Sequence, residues 1–233
     1  MIIESVDNKY IKSIINNKDI FLVEGEHLVQ EAYETNYLLE ILLLENEETN
    51  INIKTTYINQ KVMNKLSKLE SKTKIIGICR KIDNNKIFSD KILMLDNIQD
   101  PSNLGMLIRS AVAFSYNTII LSNTSVKYTN EKVIRASQGM IFKVNIIYDD
   151  LENIIQELKK ENYEIYGTDV NEGKNIKDFK KNNKHVIILG NEGKGINSNL
   201  YKYFDKTINI KINKNCESLN VAVAGSIIMY NLN

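Results

Sequence analysis

Hydrophobic and polar positions along this chain follow two periods in turn. Phe21-Leu22-Val23, Leu38 to Leu44 and Val186-Ile187-Ile188-Leu189 are short, nearly continuous apolar runs, the pattern of strands buried on both faces. Between such runs, apolar residues recur at helical spacing. In the first third the pattern predicts helices over Asn8–Ile15, Glu26–Tyr33 and Gln60–Leu69, and strands over Phe21–Val23, Leu38–Leu44, Thr55–Ile58 and Lys74–Cys79. That alternation suggests a small α/β sandwich over residues 1–80. Lys81 to Lys86 is polar and without period and reads as a linker, taken over 81–90.

From Lys91 the pattern restarts, and residues 91–233 form a second unit. Strands are predicted at Ile92–Asp96, Thr118–Ser122, Val144–Tyr148, Glu164–Thr168, Val186–Gly190 and Thr207–Ile212. Helices are predicted at Asn103–Phe114, Asn130–Gly139, Leu151–Asn162, Ser198–Tyr203 and Leu219–Leu232. The fold class is α/β, with a parallel sheet covered on both faces in the second unit. Asn171 to Asn183, polar and Lys-rich, reads as an exposed loop or frayed helix. No internal repeat is visible.

Composition narrows the function classes. The 233 residues are 43% hydrophobic and 25% charged, ordinary for a globular protein with a sizeable core. A net charge of +1 does not announce a nucleic-acid partner, although a local basic patch stays open. Cys79 and Cys216 are too few and too far apart for a zinc site, so no metal is expected. With no secretory signal at Met1-Ile2-Ile3-Glu4, a reducing cytoplasm is the expected compartment. No apolar run approaches the roughly 18 residues of a membrane span. Asn, Ile and Lys are abundant, but only Arg80, Arg109 and Arg135 are arginine. In so Lys-biased a chain, a retained Arg points to a need for the planar guanidinium, which marks Arg109 and Arg135.

Three stretches carry candidate chemistry. The first, Asp96-Asn97-Ile98-Gln99-Asp100-Pro101-Ser102-Asn103-Leu104-Gly105, holds the only proline and joins a strand to a helix. Asn103 suits an N-cap there. Arg109 lies six residues on, about 120° around the helix from Asn103. Taken alone, this is a capped helix start with a surface Arg. The second, Gly190-Asn191-Glu192-Gly193-Lys194-Gly195, follows a strand and has three glycines in six residues. It is neither a Walker P-loop nor a dinucleotide fingerprint, because Ile196 and Ser198 stand where Lys and Gly are needed. That weighs against a nucleotide-binding enzyme. The third, Glu217-Ser218-Leu219-Asn220-Val221-Ala222-Val223-Ala224-Gly225-Ser226, opens a last helix rich in small residues, with Ser218 as a plausible N-cap.

In order and spacing these stretches resemble the motifs of the TrmH/SpoU family of RNA ribose 2′-O-methyltransferases, in the SPOUT class. Lys132 to Gly139, with Phe142, resembles a further stretch of that family, and Phe21 to Gly25 with Glu31-Ala32 resembles its L30e-like RNA-binding domain. The resemblance implies methyl transfer from S-adenosylmethionine to a ribose 2′-hydroxyl of RNA, rRNA ahead of tRNA. It also implies a deep trefoil knot and a homodimer whose sites are completed by the partner. A non-catalytic RNA-binding relative is the alternative. By the same resemblance Gly190, Ile210 and Leu219, with Asn191 and Gly195, hold the cofactor. Arg109, Asn103, Glu192, Ser218 and Asn220 are the catalytic candidates, and Arg135 serves the RNA or dimer edge. His27 and His185 receive no role. The third motif departs from the family's Ile-Pro-Met run and following Gly: here it reads Ile210-Lys211-Ile212, with Lys214.

Overall fold

The computed structural model describes residues 2–68, 73–83 and 85–233, and the chain divides after Asp83 into two compact units. Met1, Leu69 of the predicted third helix and Asn84 of the polar stretch lie outside the described residues.

The first unit runs β1 (Ile2–Ile3), α1 (Lys9–Asn16), β2 (Ile20–Glu24), α2 (Glu26–Glu34), β3 (Leu38–Leu44), β4 (Thr55–Ile58), α3 (Gln60–Leu66) and β5 (Ile75–Arg80). Its sheet is mixed, in the order β1-β4-β3-β5-β2, with β5 antiparallel to both of its neighbours. Asn8 and Asn59 cap α1 and α3 with their side-chain oxygens. One face of the sheet closes over Ile11, Ile14, Val62, Met63 and Leu66 from these two helices.

The second unit runs β6 (Lys91–Leu95), α4 (Pro101–Ala113), β7 (Thr118–Ser122), α5 (Glu131–Ser137), β8 (Asn145–Asp149), α6 (Leu151–Lys160), β9 (Glu164–Thr168), β10 (Lys174–Asn175), β11 (His185–Leu189), β12 (Lys206–Asn209) and α7 (Val221–Asn231). All seven strands are parallel, in the order β10-β12-β9-β11-β6-β7-β8. Strand order reverses at the β6–β11 pair, and in such sheets ligands bind outside the carboxyl ends at the reversal. Successive strand residues face opposite sides. Ile92, Met94, Val186 and Ile188 therefore share a core with Leu151, Ile154, Ile155 and Leu158 of α6. Leu189 turns the other way, toward α7. There a Cβ on Gly225 would come within 2.6 Å of the side-chain methyls of both Leu189 and Leu107, so glycine lets α7 seat closely without displacing those leucines.

Four expectations are corrected. The N-cap of α4 is Asp100, which accepts from the Asn103 N–H at 2.8 Å, with Pro101 as the first helical residue. Proline suits that position because the N–H it lacks has no helical partner there. The N-cap of α7 is Asn220, not Ser218. The 171–183 stretch is not simply a loop: it supplies β10, the edge strand paired with β12, and a 3₁₀ turn at Ile176–Asp178 that buries Ile176. The strand predicted through Ile212 ends at Asn209.

At the amino end of β11, His185 is fully buried. Its Nδ1 lies 2.7 Å from the Asn182 carbonyl, which can only accept, so Nε2 accepts from the Tyr116 hydroxyl at 2.8 Å. Burial holds the imidazole below its ordinary value of 6.5. The unfolded chain therefore binds this proton more readily than the folded one. Stability is full above pH 6.5 and falls as pH drops below it toward the depressed folded value. Urea unfolding between pH 7.5 and 5 should show this loss in the wild type and a smaller one in His185→Gln; equal pH slopes would refute it.

Candidate functional site

The carboxyl edge of β9, β11 and β12 opens into a cleft of about 560 Å³. Each wall follows from local sequence. The loop after β11 is pinned at its neck. Asn191 N donates to the Gly195 carbonyl at 3.0 Å, and Gly195 N to the Asn191 carbonyl at 2.9 Å. The Asn191 Oδ1 accepts from the N–H groups of Gly193 and Lys194, while Nδ2 donates to the Asn97 carbonyl at 2.9 Å. Asp96 Oδ2 accepts from Asn197 N at 2.7 Å, fixing where the loop returns. The neck admits only glycine: a Cβ on Gly190 would sit 2.2 Å from the Gly195 carbonyl carbon. Gly195 has φ +68°, a backbone that side chains rarely adopt.

Asn220 sets the polarity of a side-chain chain that ties the three motifs together. Its Oδ1 caps α7 by accepting from Ala222 N and Val223 N at 2.9 and 3.3 Å. Its Nδ2 must then donate, and it does so to Asn103 Oδ1 at 2.9 Å. Asn103 Nδ2 in turn donates to Glu192 Oε1 at 2.8 Å. Asn103 is buried, freed for this by Asp100 taking the cap. A helix cap thus orients two amides and a carboxylate at the rim of the cleft.

The cleft brings together Gly190, Asn191, Glu192, Gly195, Ile210, Ser218, Leu219 and Asn220. Asn103 reaches it through Glu192 and Asn220. Arg109 and Arg135 do not line it: Arg109 is exposed on α4 and Arg135 half-buried on α5, and among the described residues neither side chain makes a hydrogen bond or ion pair. Ile210 and Ile212, beyond the end of β12, turn to the cleft, while Lys211 between them stays exposed.

Motif reading missed Thr168, Asp169, Tyr201 and Glu217, which also line the cleft. The signal for Asp169 was its place just past the carboxyl end of a predicted parallel strand. Burial, then the neighbouring Asp169 carboxylate, raises the Tyr201 phenol. Three carboxylates, Asp169, Glu192 and Glu217, face this space, and among the described residues no Lys, Arg or His does. Such a lining attracts a cation and repels a polyphosphate. No group of three His, Cys, Asp or Glu side chains is placed to hold a metal ion among the described residues.

The cleft fits S-adenosylmethionine in size and in chemistry. Its volume falls within the roughly 300–1,000 Å³ of small-molecule sites. Leu189, Ile196, Ile208, Ile210 and Ile228 offer apolar wall for a base, and the carboxylates suit a sulfonium and an ammonium.

Comparison with known proteins agrees. Residues 90–230 match the SpoU rRNA Methylase family. The chain is 30% identical over 217 residues to the 23S rRNA (guanosine(2553)-2′-O)-methyltransferase RlmP of Bacillus subtilis, covering 91% of this chain and 88% of that one. An AdoMet-bound rRNA methyltransferase from Sinorhizobium meliloti shares the fold, with a TM-score of 0.85 at 21% identity over 99% of this chain and 96% of that one. So does the SpoU methyltransferase AviRb of Streptomyces viridochromogenes with AdoMet, with a TM-score of 0.82 at 20% identity over 94% of each chain. With its family match spanning all three motifs of the cleft, this chain belongs to the SpoU rRNA methylase family.

Proposed function

We propose that this protein methylates a ribose 2′-hydroxyl of RNA, in 23S rRNA, using S-adenosylmethionine. The observation that carries the reading is the cleft built where the three motifs meet, acidic and without a cation among the described residues that line it. The lack of cations there argues against a nucleotide-phosphate site, and the joined Glu192–Asn103–Asn220 side chains argue against a relative that lost its chemistry. The substrate follows the Bacillus subtilis relative, which matches across both units.

Bound S-adenosylmethionine supplies an electrophilic methyl group. Gly190, Ile210 and Leu219 hold it, Gly190 by leaving bare backbone at the neck. Asn191 and Gly195 act by keeping the loop closed. Glu192, Asn103 and Asn220, locked in one hydrogen-bond direction, orient the reacting hydroxyl together with Ser218, so that positioning supplies much of the rate. Arg109 offers a guanidinium, which carries donors and no acceptor, so it is no proton acceptor. It binds the adjacent phosphate and stabilises developing alkoxide charge. Lys194, Lys211 and Lys214, exposed on the two cleft loops, face the phosphate backbone.

The 190–197 and 209–220 loops with α7 form a trefoil knot, which the close seating of Gly225 supports. The enzyme is a homodimer through α4 and α7. Those helices are joined by Ser110 and Ser226 at 2.7 Å, and they leave Met106, Val223 and Tyr230 exposed by 41%, 47% and 69%. Arg135 lies at this edge or on RNA. The first unit is an L30e-like RNA-binding domain, and the enzyme works in the cytoplasm on RNA without a metal. No helix among the described residues is long and apolar enough to cross a membrane.

Mapping 2′-O-methylation in rRNA from a deletion strain against its parent is the test. One 23S rRNA site should lose its methyl and regain it on complementation. An unchanged rRNA map with a lost tRNA methyl would replace the substrate, and no change in either would refute the activity.

A further inference from the structure

We propose that Asp169 recognises the ribose diol of the cofactor, accepting a hydrogen bond from it through Oδ2. This rests on the reading of the cleft as the S-adenosylmethionine site. The residue follows β9 and is fixed on several sides. Its backbone N donates to the Ile208 carbonyl at 3.1 Å, and its carbonyl accepts from Asn209 Nδ2 at 3.0 Å. Its Oδ1 accepts from Asn171 N at 2.8 Å and Glu172 N at 3.0 Å. The carboxylate is thus oriented before any ligand arrives.

Its other oxygen is nearly unused. Among the described residues Oδ2 meets only the Tyr201 hydroxyl, at 3.4 Å, beyond the range of a good O–H···O bond, while a carboxylate has room for about four donors. The neighbouring Thr168 hydroxyl is already committed to the Ile188 carbonyl at 3.0 Å. Asp169 is therefore the acceptor with spare capacity on this wall of the cleft.

Strand order says which part of the ligand it meets. β9 is separated from β6 by β11, which puts the carboxyl end of β9 about 10 Å from that of β6. Asn103 follows β6 and, with Glu192 and Asn220, marks the reacting end. The methyl-bearing sulfur belongs there, and the nucleoside then extends toward β9. A carboxylate at the carboxyl end of a parallel strand, bonded to a ribose hydroxyl, is a solution that dinucleotide folds also use.

The test is calorimetry with S-adenosylhomocysteine, 5′-methylthioadenosine, and the 2′-deoxy and 3′-deoxy forms of the latter. If the wild type binds none of them, it is the cofactor reading that fails. Given binding, removing the engaged hydroxyl should weaken the wild type about 10- to 100-fold, the worth of a hydrogen bond to a charged group. Asp169→Asn keeps an oxygen for the Asn171 and Glu172 N–H groups and should melt as the wild type does. It should lose the same factor for 5′-methylthioadenosine, yet bind that deoxy form no worse than the parent compound. The proposal is overturned if neither deoxy form binds more weakly to the wild type. It is equally overturned if Asp169→Asn binds normally, loses as much for both deoxy forms as for the parent, or loses affinity only for S-adenosylhomocysteine, whose amino-acid half would then be the contact.

Discussion

Gly190→Ala is expected to weaken S-adenosylhomocysteine binding at least about 100-fold and to lower stability by about 1–3 kcal/mol, the usual toll of overpacking. The added Cβ would meet the Gly195 carbonyl carbon at 2.2 Å and Ile196 N at 2.3 Å. Both obstacles are backbone, so neither can turn aside as a flexible side chain would. Relief requires the 191–195 loop to open, which strains the Asn191–Gly195 bridge, the Asn191–Asn97 bond and the Asp96–Asn197 anchor together. Gly195→Ala is the informative contrast. Its Cβ meets nothing within 4 Å, so its cost is that of a left-handed backbone alone, about 1–2 kcal/mol, with the neck still closed. Calorimetry and urea unfolding of the two variants separate a steric neck from a merely flexible loop. Equal losses of affinity would refute the steric account.

What the sequence makes legible, and what it hides, follows from the range of the forces involved. Short segments with apolar centres place β3, β7 and β9 at their observed bounds, because the middle of a strand in a covered sheet needs apolar residues while its ends tolerate Thr, Ser or Glu. The glycine loop and the small residues of α7 are legible for the same reason: close approach of backbone leaves a local mark. Helix starts are less so. Asp100 and Asn103 are both good caps, as are Ser218 and Asn220, and local preference ranks such residues almost equally. Pro101 held the deciding signal for α4, since proline favours the first helical position and so puts the cap at residue 100. The consequence is chemical: Asn103, not spent on its own helix, is free to bond Glu192 and Asn220. β10 was hidden because two residues in a polar stretch become a strand only through pairing with β12. Asp169 had a local signal in its strand end, but its pairing with Tyr201, 32 positions away, was hidden because it depends on a strand order that no local pattern records.

Arg109→Lys is expected to lower turnover about 10²- to 10³-fold, the loss typical of removing one donor aimed at developing charge, while S-adenosylhomocysteine affinity stays within about 2-fold, since an exposed surface substitution away from the ligand costs little. The first part follows from geometry: lysine keeps the charge but loses the planar fork that grips a phosphate through two bonds. The second follows from position, because Arg109 lies outside the cleft and has no partner among the described residues. It stands about 9 Å along α4 from Asn103 and on a different side of the helix. In the proposed homodimer, a guanidinium so placed, on the same helix as the exposed Met106, would serve a cleft across the two-fold axis rather than its own. Mixing Arg109→Lys with Gly190→Ala then tests the shared site directly. Random exchange makes half the dimers mixed, each with one intact cleft facing one intact arginine, and about a quarter of wild-type turnover should return. Near-normal turnover of Arg109→Lys alone removes the arginine from the chemistry. A mixture as inactive as its two components places Arg109 and the cleft it serves on the same chain.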